Sequence, residues 1–224
     1  MTLPKAVIFD LDGTLVDSVW DLRAALNWML GGMGRRTVSR DEVAGWVGDG
    51  VPKLVERALA ATGGALVADA FEETVARFTC HYEAHSADLT KAFPGAIEAL
   101  AALRDAGVQM GVCTNKPLGA TMEVLNGLGL APYFGAVTGG DTLPGVRKPA
   151  PDPLLHVLVA LGVRPADAVM VGDNHNDVMT AKAAGVPVIA VTFGYAHGPV
   201  AELGADRLID GFEDLLAALA AMAA

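Results

Sequence analysis

The sequence predicts an α/β fold in which a parallel sheet is flanked by helices and interrupted by a helical insert. From Pro94 onward, short apolar runs alternate with helical segments, which is typical of parallel βαβ units. Between residues 39 and 87 the apolar residues recur only at helical spacing. A separate apolar run at 7–9, made of β-branched and aromatic residues, predicts one buried strand ahead of the insert. The expected architecture is a Rossmann-like parallel-sheet core with a helical cap inserted after the first strand.

The elements can be placed in order from periodicity and from the glycines that end helices. Strands are predicted at 7–9, 108–113, 136–138, 168–171, 188–191 and 207–209. Helices are predicted at 22–30, 40–46, 51–59, 66–78, 96–106, 120–128, 153–161, 177–184 and from about 215 onward. These positions predict an α/β core domain at 1–16 and 92–224 and an α-helical cap domain at 17–91.

The composition indicates a packed globular protein and excludes several classes of function. Hydrophobic residues make up 52% of the 224 residues and charged residues 19%, which excludes a disordered chain. A formal charge of −10 argues against nucleic acid as a partner. No apolar run approaches the ~18 residues of a membrane span, and no signal peptide is visible. We therefore expect a cytoplasmic protein with free thiols at Cys80 and Cys113.

The most informative stretch is 7–18, where the first strand runs directly into two carboxylates. Asp10 and Asp12 are two positions apart, so they point the same way on an extended backbone. Gly13 and Thr14 follow as a tight turn that can hold an anion. Two acids this close destabilise each other unless a cation lies between them or one keeps a proton. That requirement points to chemistry rather than to a solvated turn.

Polar residues also follow three later apolar runs. Thr114 and Asn115 stand ahead of a helix, where a hydroxyl and backbone N–H groups suit phosphate oxygens. Lys148 precedes a proline, and Asp173 and Asp177 lie at a strand-to-helix junction. Taken singly, each of these has an ordinary explanation as a cap, a solvated lysine or a turn.

Taken together, the motifs Asp-x-Asp-Gly-Thr at 10–14, Thr-Asn at 114–115, Lys-Pro at 148–149 and Gly-Asp-x-x-x-Asp at 172–177 resemble those of the haloacid dehalogenase superfamily of phosphatases. The resemblance implies a phosphate monoester hydrolase in which Asp10 attacks phosphorus and Asp12 is the general acid and base. It further implies that Thr114, the Asn115 backbone and Lys148 hold the phosphoryl oxygens. Asp12 speaks against a dehalogenase, which lacks this second acid because halide leaves without a proton.

The same resemblance implies a Mg²⁺ cofactor, which suits clustered oxygen ligands. Its expected ligands are the Asp10 carboxylate, the Asp12 backbone carbonyl and Asp173. Asp177 and Asn174 are expected to support these ligands from outside.

The cap is expected to select the substrate. Gly48 and Gly50 form a loop ahead of a helix that carries Lys53 and Arg57 one turn apart. A solvated basic pair is one interpretation; the other is that helix N–H groups and one cation bind a small anionic group on the leaving alcohol. With Gly13 and Thr14, these residues complete the predicted substrate-binding set.

The resemblance is greatest to the bacterial phosphoglycolate phosphatases, which implies hydrolysis of 2-phosphoglycolate. The protein is expected to be a monomer or a homodimer, and the sequence does not distinguish the two. The alternatives are a phosphatase of another small sugar phosphate, a mutase like β-phosphoglucomutase, and a non-catalytic phosphate-sensing module. A small-molecule phosphate ester is the expected partner, without nucleic acid or membrane.

Overall fold

The structure, a computed structural model, describes residues 2–222 and is built on a six-stranded sheet. Its strands are β1 (Ala6–Phe9), β4 (Gln109–Cys113), β5 (Ala136–Thr138), β6 (Ala168–Gly172), β7 (Val188–Val191) and β8 (Arg207–Ile209). They lie in the order β5-β4-β1-β6-β7-β8, and every neighbouring pair is parallel. The predicted α/β fold with a parallel sheet is confirmed.

Nine α-helices accompany the strands within the described residues. They are α1 (Val19–Gly31), α2 (Arg40–Ala44), α3 (Val51–Thr62), α4 (Ala68–Glu83), α5 (Ala96–Asp105), α6 (Leu118–Gly127), α7 (Asp152–Leu161), α8 (His175–Ala184) and α9 (Leu215–Met222). Helices α5, α6 and α9 pack on one face of the sheet, and α7 and α8 pack on the other.

Strand β1 is the centre of both hydrophobic layers because its side chains alternate across the sheet. Val7 and Phe9 join the cluster beneath α5, α6 and α9, whereas Ala6 and Ile8 join the cluster beneath α7 and α8. All four side chains are fully buried. A strand buried on both faces and paired on both edges holds its carboxyl end in a fixed position.

Helices α1 to α4 form a separate hydrophobic cluster above the carboxyl ends of the strands. Two short strands connect this helical region to the rest of the chain. In this pair, β2 (Val16–Asp17) runs antiparallel to β3 (Lys91–Ala92). The sequence did not reveal these strands, since two residues carry no periodic pattern. The division into a core and a 17–91 cap remains a prediction.

None of the helices within residues 2–222 combines the length and the apolar character needed to cross a bilayer.

Candidate active site

Three neighbouring strands end in buried polar side chains. Asp10 follows β1, Thr114 follows β4 and Asp173 follows β6, and β1 lies between the other two strands. All three side chains are buried. Because the carboxyl ends of parallel strands meet at one edge of a sheet, this topology brings together residues that are far apart in the sequence.

A cluster of carboxylates lies at this edge. Asp10, Asp173 and Asp177 each place an oxygen within 4.8 Å of the others. Lys148 Nζ donates to Asp10 Oδ1 at 2.8 Å and to Asp177 Oδ1 at 2.6 Å. One lysine cannot neutralise three buried acids. An all-oxygen donor set with surplus negative charge fits a hard divalent cation.

The electrostatics of the cluster reflect this imbalance. Burial raises the pKa of Asp10 to about 7, and the charge of Asp177 adds to the shift, while Lys148 opposes it. Burial likewise raises the pKa of Asp173 well above its ordinary value. Burial disfavours the charged form of Lys148, but Asp10 and Asp177 outweigh burial and raise its pKa. Lys148 therefore stays charged, and the acids lack a full complement of positive charge.

Asp173 is held by groups on three sides. Its Oδ2 accepts a hydrogen bond from the Tyr195 backbone N–H at 2.6 Å. Its Oδ1 accepts from Asn174 Nδ2 at 3.1 Å and from Thr14 Oγ1 at 3.4 Å. Gly13 has a φ of 88°, and a Cβ there would lie 2.4 Å from Asp173 Oδ2. Gly13 and Thr14, predicted to bind substrate, thus lie directly against a carboxylate of the cluster.

Asp177 is fixed by a capping box at the start of α8. Asn174 is the N-cap, and Asp177 Oδ2 accepts the backbone N–H groups of Asp173 at 3.0 Å and Asn174 at 3.1 Å. The other oxygen of Asp177 is the one that binds Lys148. The sequence predicts a supporting role for Asp177 and Asn174; the structure also places Asp177 within the cluster itself.

The side chain of Asp12 lies apart from this cluster and pairs with a lysine that the sequence reasoning missed. Lys116 Nζ donates to Asp12 Oδ1 at 2.9 Å and also to the hydroxyl of Tyr82 at short range. Lys116 and Tyr82 are both buried. Lys116 stands one residue after the Thr-Asn pair, and a buried cation could have been suspected there only once Asp12 was known to face it.

Asn115 joins three parts of the chain through its side chain. Its Nδ2 donates to the Gly48 carbonyl at 2.8 Å and to the Lys148 carbonyl at 3.0 Å. Its Oδ1 accepts from the Lys148 backbone N–H at 2.9 Å. Asn115 therefore fixes the backbone that carries Lys148 and holds the loop of the helical region above it.

A cavity of about 40 Å³ lies between the strand ends and the helical region. Asp10, Asp12 and Thr114 line its floor, and Gly48 and Gly50 line its roof. Apolar side chains complete the roof: Leu22, Val47, Val51 and Leu54. The predicted residues of the strand ends and of the glycine loop thus meet at one cavity.

Lys53 and Arg57 lie outside this cavity. Arg57 donates to Asp49 Oδ2 at 2.5 Å and to the Trp46 carbonyl at 2.8 Å. Lys53 Nζ lies 2.6 Å from Glu56 Oε2 and lines an open surface cleft. The structure does not bring these two cations to the site that it builds from the other predicted residues.

Comparison with known proteins identifies the family to which the chain belongs. The profile of the haloacid dehalogenase-like hydrolases matches residues 4–185, which is most of the chain. The chain belongs to the haloacid dehalogenase-like hydrolases. The motif resemblance noted in the sequence is therefore confirmed.

Several relatives of this hydrolase are named phosphoglycolate phosphatase. It is 46% identical to phosphoglycolate phosphatase 1 of Pseudomonas aeruginosa over 96% of the chain and 79% of the relative. It is also 46% identical to the phosphoglycolate phosphatase of Rhodospirillum rubrum, over 95% of the chain and 90% of that relative. A crystal structure of a predicted phosphoglycolate phosphatase from Haemophilus somnus matches with a TM-score of 0.91 at 32% identity. The match covers 97% of this chain and 99% of that structure. This haloacid dehalogenase-like hydrolase is a phosphoric monoester hydrolase.

Proposed function

We propose that the protein hydrolyses 2-phosphoglycolate to glycolate and phosphate, with Mg²⁺ as cofactor and an aspartyl-phosphate intermediate. The observation that carries the proposal is the arrangement of Asp10 and Asp12 at one small cavity, with Lys148 beside Asp10 and Lys116 beside Asp12. The names of relatives at 46% identity support the choice of substrate.

In the first step, a carboxylate oxygen of Asp10 attacks phosphorus, and the bond between phosphorus and the ester oxygen breaks. Asp12 donates a proton to that leaving oxygen, which gives glycolate and leaves the phosphoryl group on Asp10. Lys148 keeps Asp10 in place and adds positive charge next to the phosphoryl oxygens. Thr114 and the N–H groups of the following turn bind those oxygens.

In the second step, Asp12 takes a proton from water, and the water oxygen attacks phosphorus. The bond from phosphorus to Asp10 breaks, phosphate leaves, and both carboxyl groups return to their starting forms. Asp10, the Asp12 carbonyl and Asp173 would hold Mg²⁺, which when bound would neutralise part of the phosphoryl charge. Asp177 and Asn174 keep these ligands oriented.

We also propose that residues 17–91 act as a cap over a core formed by 1–16 and 92–224. The paired strands β2 and β3 and the separate hydrophobic cluster of α1 to α4 support this division. A cap that closes over the strand ends shields the reacting phosphate from bulk solvent and leaves room for the one water that hydrolysis needs.

A panel of small phosphate esters tests the substrate and the cofactor together. We expect 2-phosphoglycolate to have a higher kcat/KM than p-nitrophenyl phosphate, glucose 6-phosphate and β-glucose 1-phosphate. Activity should disappear in excess chelator and return with Mg²⁺. Conversion of β-glucose 1-phosphate into an isomer without phosphate release would instead indicate a mutase. A clear preference for another ester would overturn the assignment to 2-phosphoglycolate.

A further inference from the structure

Lys116 has a hydrogen-bond donor to spare. An ammonium group carries three N–H donors. Two of them are used within residues 2–222, by Asp12 Oδ1 and by the Tyr82 hydroxyl oxygen. The lysine side chain is 2% exposed and lines the cavity. A buried cation of this kind with an unused donor is suited to an anion that enters the cavity.

Tyr82 offers a second donor at the same place. Its hydroxyl oxygen accepts from Lys116, so its own hydrogen points elsewhere, and the hydroxyl donates no hydrogen bond within residues 2–222. Burial raises the pKa of Tyr82, and the charges of Asp12 and Asp21 add to the shift, so the hydroxyl stays protonated. Tyr82, which belongs to α4 of the helical region, also lines the cavity.

The position of Lys116 relative to Asp12 matches the shape of a short carboxylate-bearing ester. In the proposed reaction Asp12 forms a hydrogen bond of about 2.7 Å to the leaving oxygen. The carboxylate carbon of 2-phosphoglycolate is two bonds from that oxygen. Lys116 Nζ lies 2.9 Å from Asp12 Oδ1. A group two bonds beyond the leaving oxygen therefore comes within reach of Lys116.

Other cationic side chains near the site already pair with carboxylates. Lys148 is shared between Asp10 and Asp177. Arg57 binds Asp49, and Lys53 faces the open cleft. Of the lysines and arginines in the described chain, only Lys116 and Lys148 line the cavity. Lys116 is the one with a free donor on the side where the leaving group lies.

We propose that Lys116 and the Tyr82 hydroxyl together bind the carboxylate of the leaving group and so select phosphate esters with a carboxylate next to the ester carbon. This inference rests on the proposed hydrolysis of 2-phosphoglycolate and deepens it. Lys116 comes from the turn after β4, whereas Tyr82 comes from α4 of the helical region. The carboxylate site is therefore complete only when the helical region lies over the strand ends. Lys53 and Arg57 have no part in it.

The test compares two esters of equal length, 2-phosphoglycolate and 2-hydroxyethyl phosphate, which has an uncharged hydroxymethyl group in place of the carboxylate. The readout is the ratio of their kcat/KM values, because loss of Lys116 also disturbs Asp12 for every substrate. For Lys116→Met we expect this ratio to fall by about 10- to 100-fold, as for a lost hydrogen bond to a charged group. Tyr82→Phe should lower it by about fivefold. Glycolate should inhibit the wild type and no longer inhibit Lys116→Met.

Lys53→Met is the matched variant, since it makes the same substitution at a lysine that lies outside the cavity. We expect its ratio to equal that of the wild type. An unchanged ratio in Lys116→Met, or a lowered ratio in Lys53→Met, would overturn the inference while 2-phosphoglycolate remained the substrate. A wild type that shows no preference for the carboxylate ester would overturn it as well. Poor turnover of 2-phosphoglycolate in the ester panel would instead refute the proposed function. Tyr82→Phe, which retains the aromatic ring, provides the same test should Lys116→Met not fold.

Discussion

At the scale of single residues, Asp10 is the side chain on which the proposed reaction depends most directly. Its carboxylate is buried, its pKa is raised to about 7, and its ordered partner is Lys148. Lys148 offsets only part of the cost of burying this acid beside Asp173 and Asp177, so Asp10 does not contribute stability as an ordinary buried residue does. Residues of this kind are candidates for function because burial and like charges act on them together.

Replacement of Asp10 by asparagine should abolish turnover without unfolding the protein. The amide keeps the shape but cannot attack phosphorus, so we expect kcat to fall by about 10⁴-fold or more. The melting temperature in chelator at pH 8 should be unchanged or higher, because a carboxyl with a raised pKa opposes folding when it is ionised. Asp105→Asn, at an exposed position, is the control. Activity within tenfold of the wild type would remove Asp10 from the nucleophile role.

A glycine behind Asp173 gives a second prediction at this scale. A Cβ at Gly194 would lie 2.2 Å from the Cβ of Asp173, so Gly194→Ala must displace that carboxylate. We expect a loss of about 1–3 kcal/mol in the free energy of unfolding, as for other overpacked sites, together with weaker binding of Mg²⁺. Gly198→Ala in the same loop meets no atom within 4 Å and should behave as the wild type. If the two variants had the same free energy of unfolding and bound Mg²⁺ equally well, the loop would have shifted to accept the extra Cβ, and Gly194 would not position Asp173.

At the scale of elements, the positions of the strands could be predicted from the sequence more completely than the contacts of the helices. The four central strands of the large sheet, β4, β1, β6 and β7, are short apolar runs that are almost wholly buried, and burial on both faces leaves few alternatives for such runs. Helix α8 begins at His175, two residues before its predicted start, because the capping box of Asn174 and Asp177 extends its first turn. Helix α4 continues to Glu83, beyond the last apolar residue of its periodic pattern, and thereby carries Tyr82 to the cavity.

The same distinction applies to the site. Asp10, Thr114 and Asp173 were predictable because each directly follows an apolar strand. Lys116 and Tyr82 were not, since their importance depends on a contact between two distant segments. Lys53 and Arg57 were predicted to bind substrate because helical spacing places them on one face of α3. The spacing does not reveal that Lys53 pairs with Glu56 and Arg57 with Asp49.

Helix α2 allows a prediction about pH. Glu42 closes a capping box with Ser39 and pairs with Arg36 at 2.8 Å. The hydrogen bond from Arg36, with that from the Ser39 backbone, lowers the pKa of Glu42 from 4.5 to about 2. A depressed pKa means that the ionised form stabilises the fold. This contribution is complete above pH 4.5 and is lost as the pH falls toward about 2.

Glu42→Gln, which keeps the cap but removes the charge, should lower the free energy of unfolding by about 0.5 kcal/mol at pH 7, since the pair is partly exposed. The difference from the wild type should shrink as the pH falls from 4.5 toward 3. Urea denaturation at a series of pH values measures this difference. Glu42→Ala should cost more, because the cap is lost as well. A difference that stays constant with pH would mean that the charge of Glu42 does not contribute.

At the scale of the whole molecule, an acidic protein must bind an anionic substrate. The formal charge of −10 repels phosphate esters at long range. Lys116 and Lys148 oppose this repulsion locally, because both side chains are buried and charges act more strongly away from bulk water. The enclosure depends on contacts across the cavity, including those from Asn115 and Asn176 to the Gly48 carbonyl at 2.8 and 3.2 Å.

Binding of a divalent ion should therefore stabilise the entire fold. The cluster of Asp10, Asp173 and Asp177 joins elements from the beginning and the end of the chain, so an ion that relieves its repulsion acts on the global unfolding equilibrium. A ligand at 100 times its dissociation constant adds about 2.7 kcal/mol, which corresponds to a rise in Tm of about 5–10 °C for a chain of this size. Thermal melts in Mg²⁺ and in chelator measure the difference.

The variant Asp173→Asn separates this effect from general ionic stabilisation. It removes one charge from the cluster and should abolish most of the Mg²⁺-dependent rise in Tm, whereas Asp105→Asn should retain it. In chelator, Asp173→Asn should melt no lower than the wild type, because burial raises the pKa of Asp173 well above its ordinary value and the ionised acid is destabilising. If the wild type melted at the same temperature with and without Mg²⁺, the three aspartates would hold no ion in the folded protein. Within residues 2–222, Lys148 would then be the only cationic side chain that pairs with them, beside the hydrogen bonds that Asp173 and Asp177 accept.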